Sequence, residues 1–215
     1  LVKSVGVPER NVFLSQLPMD LSFGGGLRRT PDMKYEERRP VRTVQLRKGE
    51  YFRYLEQRDL LLSFPYQSMT PFIELLYEAA DDPEVVSIRI TLYRLAASSK
   101  LAAALAYAAD QGKDVLCLLE LRARFDEQNN IDYSEVLSEA GCSVIYGLPE
   151  QKVHSKLCLI TRKCGEKIRY ITQVGTGNYN EVTSEQYCDL SLITADEKVG
   201  ADAAAVFDAL SLGQV

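Results

Sequence analysis

From Val85 onward the chain alternates β-branched apolar runs with alanine-rich or amphipathic stretches, and this alternation narrows the possible folds most. VVSIRITLYR (85–94) reads as a strand, KLAAALAYAADQGK (100–113) as a helix ending near Gly112, and DVLCLLELRAR (114–124) as a second strand. IDYSEVLSEAG (131–141) reads as a helix closed by Gly141, and CSVIYG as a short strand. KLCLITRK and KIRYITQVGTG pair as a hairpin about Cys164-Gly165. CDLSLIT is a further strand and ADEKVGADAAAVFDALSLG a final helix. Upstream, Tyr51–Asp59 and Pro71–Ala80 carry apolar residues at helical spacing, with Thr70 as an N-cap ahead of Pro71. Strands alternating with helices of about a dozen residues require βαβ units and a sheet covered on both faces. The late hairpin makes that sheet mixed. The expected class is α/β, a mixed sheet flanked by helices.

Residues 1–50 follow a different pattern. The Gly24–Gly26 run and the charge-dense RRTPDMKYEERRPVRTVQLRKGE build no core, so 1–50 reads as the remnant of a preceding domain and a linker, and 51–215 as one catalytic-sized domain. The absence of an initiator Met raises the expectation of a piece of a longer chain. With 46% hydrophobic and 26% charged positions, the 215 residues exclude a disordered tail or a collagen-like repeat. The longest apolar stretch, Leu101 to Ala109, falls far short of the roughly 20 residues a bilayer span needs. The N-terminus has no charged segment followed by an apolar block, so it is not read as a signal peptide. Five cysteines, an odd number with no CxxC pair, read as buried reduced thiols of a cytoplasmic protein. A net charge of −5 argues against broad nucleic-acid binding but leaves room for a local basic pocket.

The one histidine, His154, lies in KVHSKLCLI with Lys156 two positions on. Residues i and i+2 of a strand share a face, so imidazole and ammonium stand side by side. A neutral imidazole next to a fixed cation suits attack on phosphorus, the cation offsetting charge on the phosphoryl oxygens. The plainer reading is a strand-edge histidine beside a solvated lysine. After the hairpin comes Gly175-Thr176-Gly177-Asn178, where glycines let backbone approach a ligand and the Asn178 amide can donate to an anionic oxygen. An ordinary turn explains the same residues. Arg94 ends one strand, and Arg122 and Arg124 another, where ligands of open α/β sheets gather; a guanidinium fork suits phosphate, and surface ion pairs are the alternative. Tyr187 precedes the CDLSLIT strand and reads as a packing aromatic. Asp126 and Glu127 pair two carboxylates that could approach Mg²⁺ through phosphate or cap a helix. No GxxxxGK[ST] or GxGxxG loop occurs.

HxK followed by GxxN across a hairpin resembles half of a phospholipase-D-like active site, with Thr161 where the HxKxxxxD pattern has its aspartate. TLYRLAASSK, the long stretch from LELRARFDEQNN to KVHSKLCLI, and RYITQVGTGNYNEVTSEQYCDLSLITAD closely resemble bacterial polyphosphate kinases of the first type; LPMDLSF and LLLSFPYQSM look like their upstream sequence. The resemblance implies a phospholipase-D-like domain, the first of two catalytic domains, in an ATP:polyphosphate phosphotransferase that works reversibly through a phosphohistidine with Mg²⁺. On it, His154 is the phosphorylated residue, with Lys156 beside it. Arg94 and Arg124 belong to the Mg²⁺–phosphate site, Tyr187 contacts ATP or ADP, and Asn178 joins them. Arginine has no lone pair for a cation, so both arginines are expected to hold phosphate oxygens that face the metal. The implied partners are ATP/ADP, inorganic polyphosphate, the second catalytic domain and further copies of the parent, but no nucleic acid. The implied location is cytoplasmic, with the parent's peripheral attachment to the inner membrane left open. The piece alone is expected to be inactive. Two alternatives stand beside this: a divergent phospholipase-D-type phosphodiesterase and a non-catalytic polyphosphate-binding module.

Overall fold

The computed structural model describes residues 4–16, 19–24, 36, 38–42, 44–121, 127–147 and 151–214, with only the backbone of Glu127. The chain divides into two units, Leu1–Arg38 and Arg39–Val215. The first holds one turn of 3-10 helix, Glu9–Asn11, and none of its described residues is buried. Of the glycine run, Gly25 and Gly26 lie outside the described residues.

The second unit is built on a seven-stranded mixed sheet in the order β1-β7-β6-β5-β2-β3-β4. Its elements are α1 (Tyr51–Leu55), β1 (Leu60–Phe64), α2 (Thr70–Asp81), β2 (Val85–Leu92), α3 (Lys100–Asp110), β3 (Asp114–Leu119), α4 (Glu127–Glu139), β4 (Ser143–Tyr146), β5 (Lys156–Cys164), β6 (Lys167–Gly175), β7 (Asp189–Thr194) and α5 (Glu197–Ser211). β2, β3 and β4 run parallel, joined by α3 and α4 as crossovers, whereas β5, β6, β7 and β1 pair antiparallel. The expected mixed sheet with helices on both faces is what forms.

Alternation along β5 shows how the sequence builds the two layers. Cys158 and Ile160 join the large core with Phe72, Leu75 and Leu76 of α2 and Leu101 and Leu105 of α3. Leu157 and Leu159 point the other way, to Ala203 and Phe207 of α5. The hairpin from β5 to β6 turns through Gly165 and Glu166, with Gly165 at φ +64°, a conformation that a two-residue turn between twisted strands favours.

The element boundaries differ from expectation in instructive places. LLLSF forms β1, an edge strand the sequence reading left unassigned, with Leu60, Leu62 and Phe64 buried by strict alternation. The helix expected over Tyr51–Asp59 stops at Leu55. Its start is fixed from outside: the Glu78 carboxylate accepts the N–H groups of Gly49, Tyr51 and Phe52. Thr70 is the first residue of α2 rather than its cap, because Ser68 Oγ takes the Thr70 N–H at 3.1 Å. β2 ends at Leu92 and β3 at Leu119, short of the arginines expected to close them. α4 begins at Glu127, earlier than Ile131. Asn129 and Asn130 sit in its first turns because their amides bond carbonyls outside the helix, to Leu95 and to Tyr93 and Glu120 respectively. All five cysteines are free thiols; Cys117, Cys142 and Cys158 are buried as expected, Cys164 is half-buried and Cys188 is exposed.

Candidate functional site

At one end of the sheet the carboxyl ends of β2, β3, β4 and β6 meet the amino ends of β5 and β7. Backbone pairing of β2 with β5 stops at Ile90 and Cys158. Beyond it the buried Thr91 hydroxyl donates to the Ser155 carbonyl at 2.8 Å and accepts the Leu157 N–H at 3.1 Å. On the other side of His154, the buried Glu120 carboxylate accepts the Val153 N–H at 3.0 Å. That carboxylate also fills the space over Gly147, where a Cβ would lie 2.8 Å from Oε2. The backbone is therefore fastened at residues 153 and 155, and the exposed side chain of His154 projects from a short fixed segment.

Lys156 is 5% exposed, and among the described residues it makes no ion pair. Its ammonium donates to the His154 carbonyl and lies 5.2 Å from the centroid of the Tyr93 ring. The same ring meets the His154 imidazole at 4.8 Å and 83°, a perpendicular arrangement. Partial desolvation, then the Lys156 and Lys152 ammonium groups, hold the imidazole below its ordinary value. Burial pulls Lys156 down as well, against the Asp189 carboxylate, which raises it. Both effects favour the neutral ring, next to an ammonium that makes no ion pair among the described residues.

Asp189 opens β7 and was not singled out from the sequence. Its Oδ1 accepts the Thr176 hydroxyl at 2.7 Å, and a Cβ on Gly177 would stand 2.6 Å from its carboxyl carbon. The glycines of Gly175-Thr176-Gly177 thus make room for β7 of the same chain, Gly175 against Leu190 and Ser191 and Gly177 against Asp189. Internal packing thus gives these glycines a reason beside the close backbone approach to a ligand expected from the sequence. Asn178 follows, half-buried, with its Oδ1 buried and bonded to nothing among the described residues. The loop is tied down by Tyr179, stacked on Phe72 at 5.5 Å and donating to Gln173. Glu181 adds a second tie, accepting the Leu101 N–H at the start of α3. Thr161 lies five residues along β5 from Lys156, about 16 Å at strand rise, so a carboxylate there would not reach the imidazole.

Arg94 follows Tyr93 at the same sheet end and is half-buried. Arg122, Arg124 and Asp126 lie outside the described residues, as does the side chain of Glu127. Tyr187 is 62% exposed, two residues ahead of β7. His154, Lys156 and Tyr93 are in mutual contact; no hydrogen bond or ring contact among the described residues joins Asn178 or Tyr187 to them. Tyr93, Thr91, Glu120 and Asp189 are the additions that the structure makes to the site. Among the described residues no group of three or more His, Cys, Asp or Glu side chains could hold a metal ion. The described residues thus supply no such cluster for Mg²⁺, an ion usually bound through one or two carboxylates and substrate phosphates.

Comparison with known proteins gives a consistent result. The family model for polyphosphate kinase C-terminal domain 1 matches residues 50–214. The polyphosphate kinase of Lactiplantibacillus plantarum is 38% identical over 98% of this chain, and that of Prosthecochloris aestuarii 39% identical over the same share. This chain spans only 30% of the length of either. Among solved structures, the polyphosphate kinase of Porphyromonas gingivalis superposes with a TM-score of 0.69 at 35% identity, covering 84% of this chain and 30% of that one. Nuc, a phospholipase D family member from Salmonella typhimurium, superposes at 0.55 with 15% identity, covering 72% of this chain and 91% of that one, a likeness of fold.

Proposed function

Because this chain belongs to the polyphosphate kinase family, we propose that it is the first catalytic domain of an ATP:polyphosphate phosphotransferase in which His154 carries the phosphoryl group. The observation that carries this reading is an exposed imidazole on a fixed backbone segment, with a buried ammonium beside it that makes no ion pair among the described residues. An imidazole lone pair of His154 attacks the γ-phosphorus of ATP. The P–N bond forms as the P–O bond to ADP breaks. In the second transfer a terminal oxygen of polyphosphate attacks the same phosphorus, and the imidazole leaves. Lys156 meets the charge on the equatorial oxygens in both steps, which makes catalysis largely a matter of position and cationic stabilisation.

Arg94 and Arg124 are assigned to phosphate oxygens, Asn178 to a further anionic oxygen, and Tyr187, with its exposed ring, to the nucleotide. Mg²⁺ would arrive on the substrate phosphates, neutralising their charge. The second catalytic domain of the parent would complete the site, and further copies of the parent its oligomer. The proposed setting is the cytoplasm. No described helix is long and apolar enough to cross a membrane.

The test is phosphohistidine formation. The intact parent, its His154→Ala variant and this chain are incubated with γ-labelled ATP and Mg²⁺, and protein-bound label is checked for acid lability. Acid-labile label on the parent that vanishes in the variant is expected, with little or no polyphosphate made by this chain alone. Label that persists in the variant would place the nucleophile elsewhere. Salt-dependent polyphosphate binding with no label at all would make the chain a binding module.

A further inference from the structure

We propose that Tyr93 is a positioning residue of the His154 site: its ring fixes the orientation of the imidazole and covers the Lys156 ammonium, presenting nucleophile and cation as one rigid pair. The inference rests on the phosphohistidine reading above and adds what aims the nucleophile. An attacking histidine is usually oriented by a third group that hydrogen-bonds its far nitrogen. Among the described residues none bonds either imidazole nitrogen of His154, and the nearby carboxylate of Asp189 is engaged by Thr176. Among those residues it is the ring contact, perpendicular at 4.8 Å, that orients the imidazole.

Tyr93 is itself held. It follows the last residue of β2, and its carbonyl accepts the buried Asn130 amide at 2.8 Å, the same amide that bonds the Glu120 carbonyl at 2.9 Å. Glu120 in turn fastens Val153. One chain of contacts therefore sets both the backbone under His154 and the ring beside it. The ammonium 5.2 Å from the ring centroid is within cation–π range, which keeps Lys156 at the imidazole without neutralising it. Among the described residues, the charged groups acting on His154 are Lys156 from β5 and Lys152 from the preceding loop.

The test uses the fact that His154 is the one histidine in the 215 residues, so its ring resonances are unambiguous by NMR. The ring current of Tyr93 is expected to displace the His154 Cε1–H and Cδ2–H signals from free-imidazole positions. Tyr93→Leu, which keeps much of the volume but no π face, should return them most of the way and raise the imidazole toward its ordinary titration. Tyr93→Phe should leave both where they are. Circular dichroism confirms that each variant is folded. In the intact parent, Tyr93→Leu should slow His154 labelling on the order of tenfold or more, with Tyr93→Phe within about twofold. Unchanged signals in Tyr93→Leu, or Tyr93→Phe behaving like Tyr93→Leu, would overturn the assignment. Shifted signals with no label even in the unaltered parent would overturn the phosphotransfer reading while leaving the ring placement intact.

Discussion

Strand β5 carries a cation near each end, and the two are treated in opposite ways. Arg162, near its carboxyl end, is surrounded by carboxylates: its guanidinium reaches Glu84 at 2.7 Å, Asp82 at 3.1 Å and Glu56 at 3.5 Å, and stacks over the Phe52 ring at 4.3 Å, with only Nε left unbonded among the described residues. It ties α1, the turn before β2 and the sheet together beside a cleft of about 460 Å³. Lys156, at the amino end, is more deeply buried and among the described residues is given only a backbone carbonyl and an aromatic face. A charge offset by three carboxylates has little left for an anionic ligand. A buried charge without a carboxylate partner costs stability and retains its field for an incoming anion. The cleft lies beside the paired cation, whereas the proposed chemistry belongs to the opposite end.

The largest expected effect sharpens this contrast. Lys156→Met in the intact parent should reduce His154 labelling on the order of 100- to 1000-fold, the usual loss when a preorganised donor to transition-state charge is removed. The same change in this chain should raise unfolding stability by about 1 kcal/mol, since an apolar side chain of similar length replaces a buried unpaired ammonium. Labelling assays and urea titration read the two arms. A variant that lost both activity and stability would mean that Lys156 is a structural pin like Arg162. The converse experiment is Arg162→Ala. It leaves three carboxylates facing one another and uncovers Phe52, so a loss of about 2 kcal/mol is expected, discounted because Glu56 and Glu84 are partly exposed. Labelling of the folded parent at low temperature should stay within about twofold, as the change lies on the order of 20 Å along β5 from the imidazole.

The same contrast explains what the sequence made visible. The layers were legible because period-2 and period-3.6 patterns are local, and Gly112 and Gly141 close α3 and α4 with φ of +80° and +91°. β1 was missed because LLLSF is leucine-rich and lacks β-branched residues; only pairing with β7 makes it a strand. HxK was legible because i and i+2 share a face. Tyr93, Thr91 and Glu120 were not, because they come from the ends of β2 and β3 more than thirty positions upstream and act through contacts formed on folding. The glycines before Asn178 carried a legible signal, a need for space, but the sequence did not show that Asp189 is one of the groups that fill it.

Gly177 offers a smaller test of whether the loop at the His154 end is set by β7. Gly177→Ala forces a Cβ into the Asp189 carboxylate, and overpacking of this kind should cost about 1–2 kcal/mol. Truncating the obstacle should relieve it, so the Gly177→Ala/Asp189→Ala double variant is expected to lose less than the sum of the single changes. A double-mutant cycle by urea denaturation measures the coupling. Strictly additive losses would show that the glycine serves something other than Asp189.

The smallest effect concerns pH and separates the two ends of β5 once more. In the folded chain His154 binds its proton less readily than in the unfolded chain, through partial desolvation, then Lys156, then Lys152. As pH falls below about 6.5 the unfolded chain takes up that proton first. The stability His154 contributes is therefore fully present above that pH and is lost as pH falls through the lower folded value. His154→Gln should abolish this component, and the difference between the unaltered chain and His154→Gln across pH 7.5 to 5 isolates it from carboxylates that titrate lower. Lys156→Met removes the second cause and should flatten the slope without erasing it, because desolvation remains. Arg162→Ala should leave the slope unchanged. If Arg162→Ala altered it as much as Lys156→Met does, the two ends would be electrically one site and the division of labour along β5 would fail.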